Sequence, residues 1–177
     1  MTETQDPYLT QHPASGHFAY AVKKLLSVEG GYVDDDDDPG GKTNFGISAG
    51  QFPGEDIENL TEGRAIALYR EHYWEPNRYG EIKNRDIAAE MLDLCVLTGP
   101  RTANSLMQRA LNRIDFGSAL TVDGVCGRKT LAEINWYRSG YYLSDYLLCT
   151  LKLLECAHFV ASGNTKFLRG WIRRAIL

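Results

Sequence analysis

EGGYVDDDDDPGGKTNFGI, residues 29–47, is the stretch on which the reading of this chain turns. Before it, Phe18, Val22, Leu25 and Leu26 recur at helical spacing, with Lys23 and Lys24 on the opposite side. Glu29 falls four residues after Leu25, on that apolar stripe, and Gly30 suits the left-handed conformation that ends a helix. A carboxyl group so placed resists ionisation, first because its face is dry and second because the C-terminal end of a helix dipole is negative. Asp34 to Asp38 follow at once, in a Gly- and Asp-rich stretch that reads as turns, with a short β-hairpin around Asp38-Pro39-Gly40-Gly41 as one form it would take. One short segment therefore offers an acid inclined to keep its proton and several inclined to stay ionised. Acid–base chemistry by paired carboxyls needs that contrast.

Outward from this segment nearly everything reads as helix. Thr61 has the side chain of an N-cap for a helix through about Trp74, with Ile66, Tyr69 and Tyr73 on one side and Pro76 ending it. Ile87, Met91, Leu94, Cys95 and Thr98 mark a third long helix, with Asp86 as its expected cap and Gly99-Pro100 as its stop. Pro100 suits the first position of the next helix, whose inward residues are Ala103, Leu106, Ala110, Leu111 and Ile114. Turns fill 115–127, then helices are expected over Arg128 to Trp136, near 141–160, and from about Asn164. Residues 1–14 are polar, contain two prolines and are expected to lack fixed structure.

Composition narrows the function. The chain has 177 residues, 44% hydrophobic and 24% charged, enough for one compact domain with a sizeable core. A net charge of −4 argues against nucleic acid as a partner. Cys95, Cys126, Cys149 and Cys156 show no metal-knuckle or redox spacing, and their apolar or helical contexts predict buried free thiols. The four histidines, 12, 17, 72 and 158, form no pair with metal-ligand spacing, so no metal and no cofactor is expected. A calcium loop fails on residues: counted from Asp34, position six is Pro39 rather than Gly, and position twelve is Phe45 rather than Glu. The N-terminal residues have neither the basic region nor the apolar core of a Sec signal peptide, so cytoplasmic synthesis is expected.

Five motifs carry a family resemblance. EGGYVDDDDDPGGKTNFGIS (29–48) resembles the N-terminal signature of glycoside hydrolase family 108, the phage-type muramidases. TEGRAIALYREHYWEP (61–76) is similar to that family's helix ending in Tyr-Trp before Pro, and MLDLCVLTGPRTANSLMQRALN (91–112) to its central helix pair. VDGVCGRKTLAEI (122–134) resembles the motif of its C-terminal peptidoglycan-binding region, and FLRGWIRRAI (167–176) its closing helix. The resemblance implies a mostly α, lysozyme-like fold of two lobes with a small acidic loop or short hairpin. Residues 15–99 would form the catalytic lobe and 100–177 a helical lobe packed with it as one unit.

The resemblance also implies roles. Glu29 matches the family's catalytic acid. In the related phage lysozymes of family 24 an Asp follows the Glu by nine residues and a Thr lies shortly beyond, which points to Asp38 and Thr43 as the pair that positions water. That arrangement inverts the sugar's configuration and needs roughly 6.5–9.5 Å between the carboxyls. As a residue, Asp38 also reads as a turn initiator before Pro-Gly. Tyr32, Tyr73 and Trp74 match family positions for sugar contact, although aromatics at helical spacing are more often core. Asp93 matches a family Asp in the central helix. In the C-terminal helix, Trp171 and Ile172 are expected inward and the arginines in solvent, with weak contact to anionic lipid or wall polymer as the alternative use.

The implied activity is hydrolysis of the β-1,4 bond between N-acetylmuramic acid and N-acetylglucosamine, by a monomer acting on peptidoglycan glycan strands in the periplasmic cell wall. Export would depend on a phage holin or a dedicated secretion system. Two other readings stay open, a lytic transglycosylase and a non-catalytic wall-binding protein.

Overall fold

The computed structural model describes residues 16–28, 42–114, 120–136, 143–163 and 165–176. Helix α1, Gly16–Val28, buries Phe18, Ala21, Val22 and Leu25, each no more than 2% exposed, as one stripe at helical spacing. A two-stranded antiparallel hairpin comes next, β1 (Thr43–Asn44) and β2 (Ile47–Ser48), pairing Thr43 with Ser48 and Asn44 with Ile47. This hairpin turns at Phe45-Gly46, and the one expected around Asp38-Pro39-Gly40-Gly41 lies outside the described residues. Phe45 has φ 50° and Gly46 φ 73°. Positive φ at both central residues gives a turn whose twist matches that of the flanking strands. Phe45 takes this conformation against its preference because its carbonyl accepts a hydrogen bond from the Tyr69 hydroxyl and its ring packs on the core.

Helix α2, Glu62–Tyr69, begins at Thr61, whose hydroxyl accepts from the Arg64 N–H at 3.3 Å, as the sequence predicts. It continues into a π-helical turn, Arg70–Trp74, closed by Glu75 N–H donating to the Arg70 carbonyl at 3.0 Å. The extra residue in that turn lets Tyr69, Tyr73 and Trp74 all face inward. After a 3-10 turn at Tyr79–Glu81, helix α3 spans Arg85–Thr98. Its cap is Asn84, not Asp86. Asn84 is extended (φ −90°, ψ 116°), and its side chain accepts from the N–H groups of Asp86 and Ile87 at 2.9 and 3.2 Å. Asp86 is already inside the first turn, where its carboxylate accepts from the Tyr20 hydroxyl at 2.7 Å.

α3 is buried nearly all round, including Ala88, Met91, Leu92, Leu94 and Cys95 at 0%, and packs on α1 most extensively. It ends at Gly99 (φ 82°), and Pro100 starts α4, Pro100–Ile114. Helix α5 is Arg128–Trp136, α6 is Leu143–Ala161 and α7 is Thr165–Ile176. α4 and α6 pack on α3 and on each other, and α7 packs on α6. A single apolar cluster runs from Phe18 to Leu151, crossing Gly99-Pro100 without a break. The fold is mostly α and lysozyme-like.

Two expectations, on the C-terminal helix and on the thiols, need revision. Arg174 is not in solvent: its guanidinium grips Asp93, while Trp171 stacks on Phe159 with ring centres 5.1 Å apart. All four cysteines are free, but only Cys95 and Cys126 are buried. Cys149 is exposed and Cys156 half-buried, because α6 buries the stripe Leu147, Leu151, Glu155 and Phe159 and turns its cysteines away from it. The polar tail, 1–14, lies outside the described residues.

Candidate active site

Glu29, Asp38 and Tyr32, named from the sequence, lie outside the described residues. What the structure gives is the frame on either side of them. α1 ends at Val28, the residue before Glu29 in the chain, and β1 begins at Thr43. Both ends of that frame are tied to the core. Ile47 is 0% exposed, and Asn44, on the same hairpin face, donates to the Ile57 carbonyl at 3.2 Å. Thr43 and Ser48 share the other face, both half-buried. Two hydroxyls therefore sit side by side where the resemblance named one. Strand alternation would have paired Ser48 with Thr43 had a turn at Phe45-Gly46 been read from the sequence.

Tyr73 and Trp74 are adjacent in the chain and diverge in space. Trp74, 6% exposed, meets Phe18 at 5.3 Å and Tyr79 at 6.2 Å between ring centres. Its indole also lies against Gly80, where a methyl group would stand 3.2 Å from Nε1. Tyr73, 7% exposed, lies beside Phe52 and Tyr69, its hydroxyl 3.5 Å from Gln51 Oε1. Burial, and then the nearby Cys95, push its phenol up to about 12, so it stays protonated across the working range of an enzyme. Both rings are core neighbours of the hairpin frame. Phe52, Gln51 and His72 line its outer side, with Phe52 and His72 edge to face at 5.0 Å.

Asp93 holds a different position. Its carboxylate accepts from Arg174 Nε at 2.9 Å on each oxygen and from Nη2 at 2.6 Å, with the two side chains 16% and 12% exposed. This bidentate fork joins α7 to α3 across 81 residues of chain.

Sequence reading also missed the polar ties that hold the second half in place. Asn104, 2% exposed, accepts from the Tyr79 hydroxyl at 2.9 Å and donates to Asn77 Oδ1 at 2.9 Å and to the Gly124 carbonyl at 3.2 Å. Asn77 in turn donates to the Tyr73 carbonyl at 2.7 Å. Gln108 clasps the VDGVCG turn, accepting from Gly124 N–H at 2.9 Å and donating to Asp123 at 2.7 Å. Gly124 (φ 76°) is required there, as a Cβ would stand 2.7 Å from Arg101 Cγ. The turn therefore does what its Asp and Gly residues predict. Asn104 and Gln108 interrupt the apolar face of α4, and that interruption was the available signal.

Residues 22–99 match the family model of glycosyl hydrolase 108. Over that span the chain resembles the glycosyl hydrolase 108 family. The match takes in Glu29, the acidic loop, the hairpin, α2 and α3. A solved structure described as that of Brucella abortus SagA superposes with a TM-score of 0.68 at 28% identity, covering 91% of this chain and 94% of that one. No curated protein matches the chain. The glycosyl hydrolase 108 match and the likeness to SagA support a glycoside hydrolase of the peptidoglycan-hydrolase type.

Proposed function

We propose that this protein is a member of the glycosyl hydrolase 108 family and an N-acetylmuramidase that cleaves the β-1,4 bond between N-acetylmuramic acid and N-acetylglucosamine. The observation that carries the reading is the family match across the segment that contains Glu29, directly after the last residue of α1. Glu29 donates a proton to the leaving oxygen. Asp38, with Thr43 of β1, holds and activates the attacking water on the opposite face of the sugar. Tyr32, in the chain between α1 and β1, contacts the sugar rings. Peptidoglycan glycan strands are the partner, met at the cell wall after passage through a holin or a secretion system.

Glu29→Gln tests this directly. The variant keeps the shape and loses the proton, and is expected to leave peptidoglycan uncleared in a zymogram where the wild type clears it. Clearing equal to wild type would remove Glu29 from the mechanism. Mass analysis of the muropeptides separates hydrolysis from ring closure, and a predominance of anhydro products would replace the hydrolase reading with a transglycosylase.

A further inference from the structure

Behind the frame, two carboxyl groups are enclosed where α1, α3 and α6 meet. Glu155 of α6 is 0% exposed and Glu90 of α3 is 4% exposed. Each stands on an apolar stripe of its helix, Glu155 between Leu151 and Phe159, Glu90 between Ile87 and Leu94. Lys24 of α1 and Lys152 of α6 both turn to the same oxygen of Glu90, each at 3.6 Å. Among the described residues no cation pairs with Glu155, and neither of its oxygens has a donor.

An ionised Glu155 would therefore be a buried carboxylate without a hydrogen bond, facing the charges of Glu90 and Asp93. A proton on Glu155 removes both penalties. The neutral acid donates to the Glu90 carboxylate, and Glu90 keeps its two lysines. Two carboxyls in contact away from water share a proton for this reason. The other groups acting on the pair are Asp93 of α3, itself held by Arg174 of α7, and Cys156, the chain neighbour of Glu155. The cations of α4, Arg109 and Arg113, line a separate groove with His158.

We propose that Glu155 and Glu90 hold one proton between them, and that this pair, through the Lys24–Glu90 contact, is the positioning element for α1 and hence for Glu29. Lys24 lies five residues before Glu29 on the helix that leads into it. The role assigned to α1 rests on Glu29 being the acid; the shared proton does not. Burial, and then the Glu90 charge, hold the Glu155 proton up to about 9, against an ordinary value of 4.5. The stability conferred by that proton is complete below the ordinary carboxyl range and is lost as pH rises through about 9. Across that window the native chain holds one proton that the unfolded chain releases.

The test compares full-length wild type with Glu155→Gln, whose amide keeps the donor to Glu90 and cannot ionise. Denaturant unfolding from about pH 5 to about pH 9 should give a wild-type unfolding constant that rises about tenfold per pH unit relative to the variant. Parallel curves would overturn the shared proton. Independently of folding, infrared spectroscopy of wild type at neutral pH should show the carbonyl band of a protonated carboxylic acid that Glu155→Gln lacks; absence of that band overturns the proposal as well. For positioning, Lys24→Met should lower kcat by about tenfold or more at unchanged KM, and Lys24→Arg should restore it. Unchanged kcat in Lys24→Met would remove the link to α1. Glu29→Gln run alongside separates the two readings: if it is fully active the muramidase assignment fails, while the unfolding and infrared results still decide the proton.

Discussion

Removing the Arg174 side chain is the most informative single perturbation of the fold, because Asp93 has two competing uses. The resemblance makes Asp93 a substrate contact; the structure gives its carboxylate to Arg174 through bonds of 2.9, 2.9 and 2.6 Å. The pair is 16% and 12% exposed, so solvent replaces little of what is lost when one partner goes. Breaking a buried pair from one side costs about 3–5 kcal/mol, since it leaves the other charge unpaired. The residual exposure places Arg174→Met near the lower end, about 3 kcal/mol. For a chain of this size that corresponds to a fall in Tm of roughly 6–12 °C. Asp93→Leu should cost a similar amount, and the double variant should recover most of it, because an apolar pair has no stranded charge. Urea unfolding of the four proteins gives the coupling directly, expected at about 2 kcal/mol or more. Additive losses, or a cost below about 0.5 kcal/mol for Arg174→Met, would mean the fork behaves as a surface pair and the reasoning fails. Activity per folded molecule then decides the second use. If Asp93→Asn lowers kcat/KM far more than Arg174→Met at matched stability, Asp93 meets substrate in addition to holding α7.

Trp74→Ala should cost about 3–5 kcal/mol, read by urea unfolding, because the indole is enclosed by Phe18, Tyr79 and Gly80. A variant of unchanged stability but raised KM would instead make it a sugar platform. Gly124→Ala combines a positive φ with a Cβ 2.7 Å from Arg101 Cγ and 2.8 Å from its carbonyl, so a loss of more than about 1 kcal/mol is expected, centred on the α4–α5 connection in hydrogen exchange. Alkylation of the native protein near neutral pH should reach Cys149 first and leave Cys95 and Cys126 intact, since burial pushes both of the latter thiols up to about 12. Mass mapping that finds Cys95 labelled as fast as Cys149 would contradict the packing of α3.

Helices were legible where a stripe met a strong punctuation residue. Thr61 before α2, Gly99-Pro100 between α3 and α4, and Arg128 at the start of α5 all fall where the sequence puts them. The cap of α3 was misread because Asn84 and Asp86 are both capping types, and only backbone conformation tells which of them stands outside the helix. The Thr43–Ser48 hairpin was not anticipated, for a related reason. Asp-Pro-Gly-Gly has the composition of a turn, whereas Phe45-Gly46 makes one only because Tyr69 is there to hold the Phe45 carbonyl. Arg174 was assigned to solvent because nothing local in α7 shows that Asp93, 81 residues earlier, faces it. Errors of this kind concern partners distant in sequence, which propensity and periodicity do not contain.

The same limit bears on the acid. Glu29 was singled out because a carboxyl on an apolar stripe resists ionisation, and that criterion also selects Glu155, which continues the stripe Leu147–Leu151 by four residues. The structure bears out the physics at Glu155, whose carboxyl is held up to about 9, yet a side chain 0% exposed has no route for passing a proton to a sugar. A raised affinity for protons is therefore necessary for a general acid and insufficient to identify one. The two positions differ in the chain that succeeds them. Glu155 leads into further turns of α6 and a buried Phe159, whereas Glu29 follows the last residue of α1 in the chain and is followed by Gly30, Gly31 and the aspartates. Only the second has aspartates close to the acid in the chain. It is also the one that falls inside the glycosyl hydrolase 108 match, since Glu155 lies beyond residue 99. The catalytic assignment of Glu29 accordingly rests on the family segment and the aspartates, with the stripe supplying the reason its proton would be retained. Glu155 shows what the stripe does without them: it fixes a proton inside the protein and uses it to hold helices together.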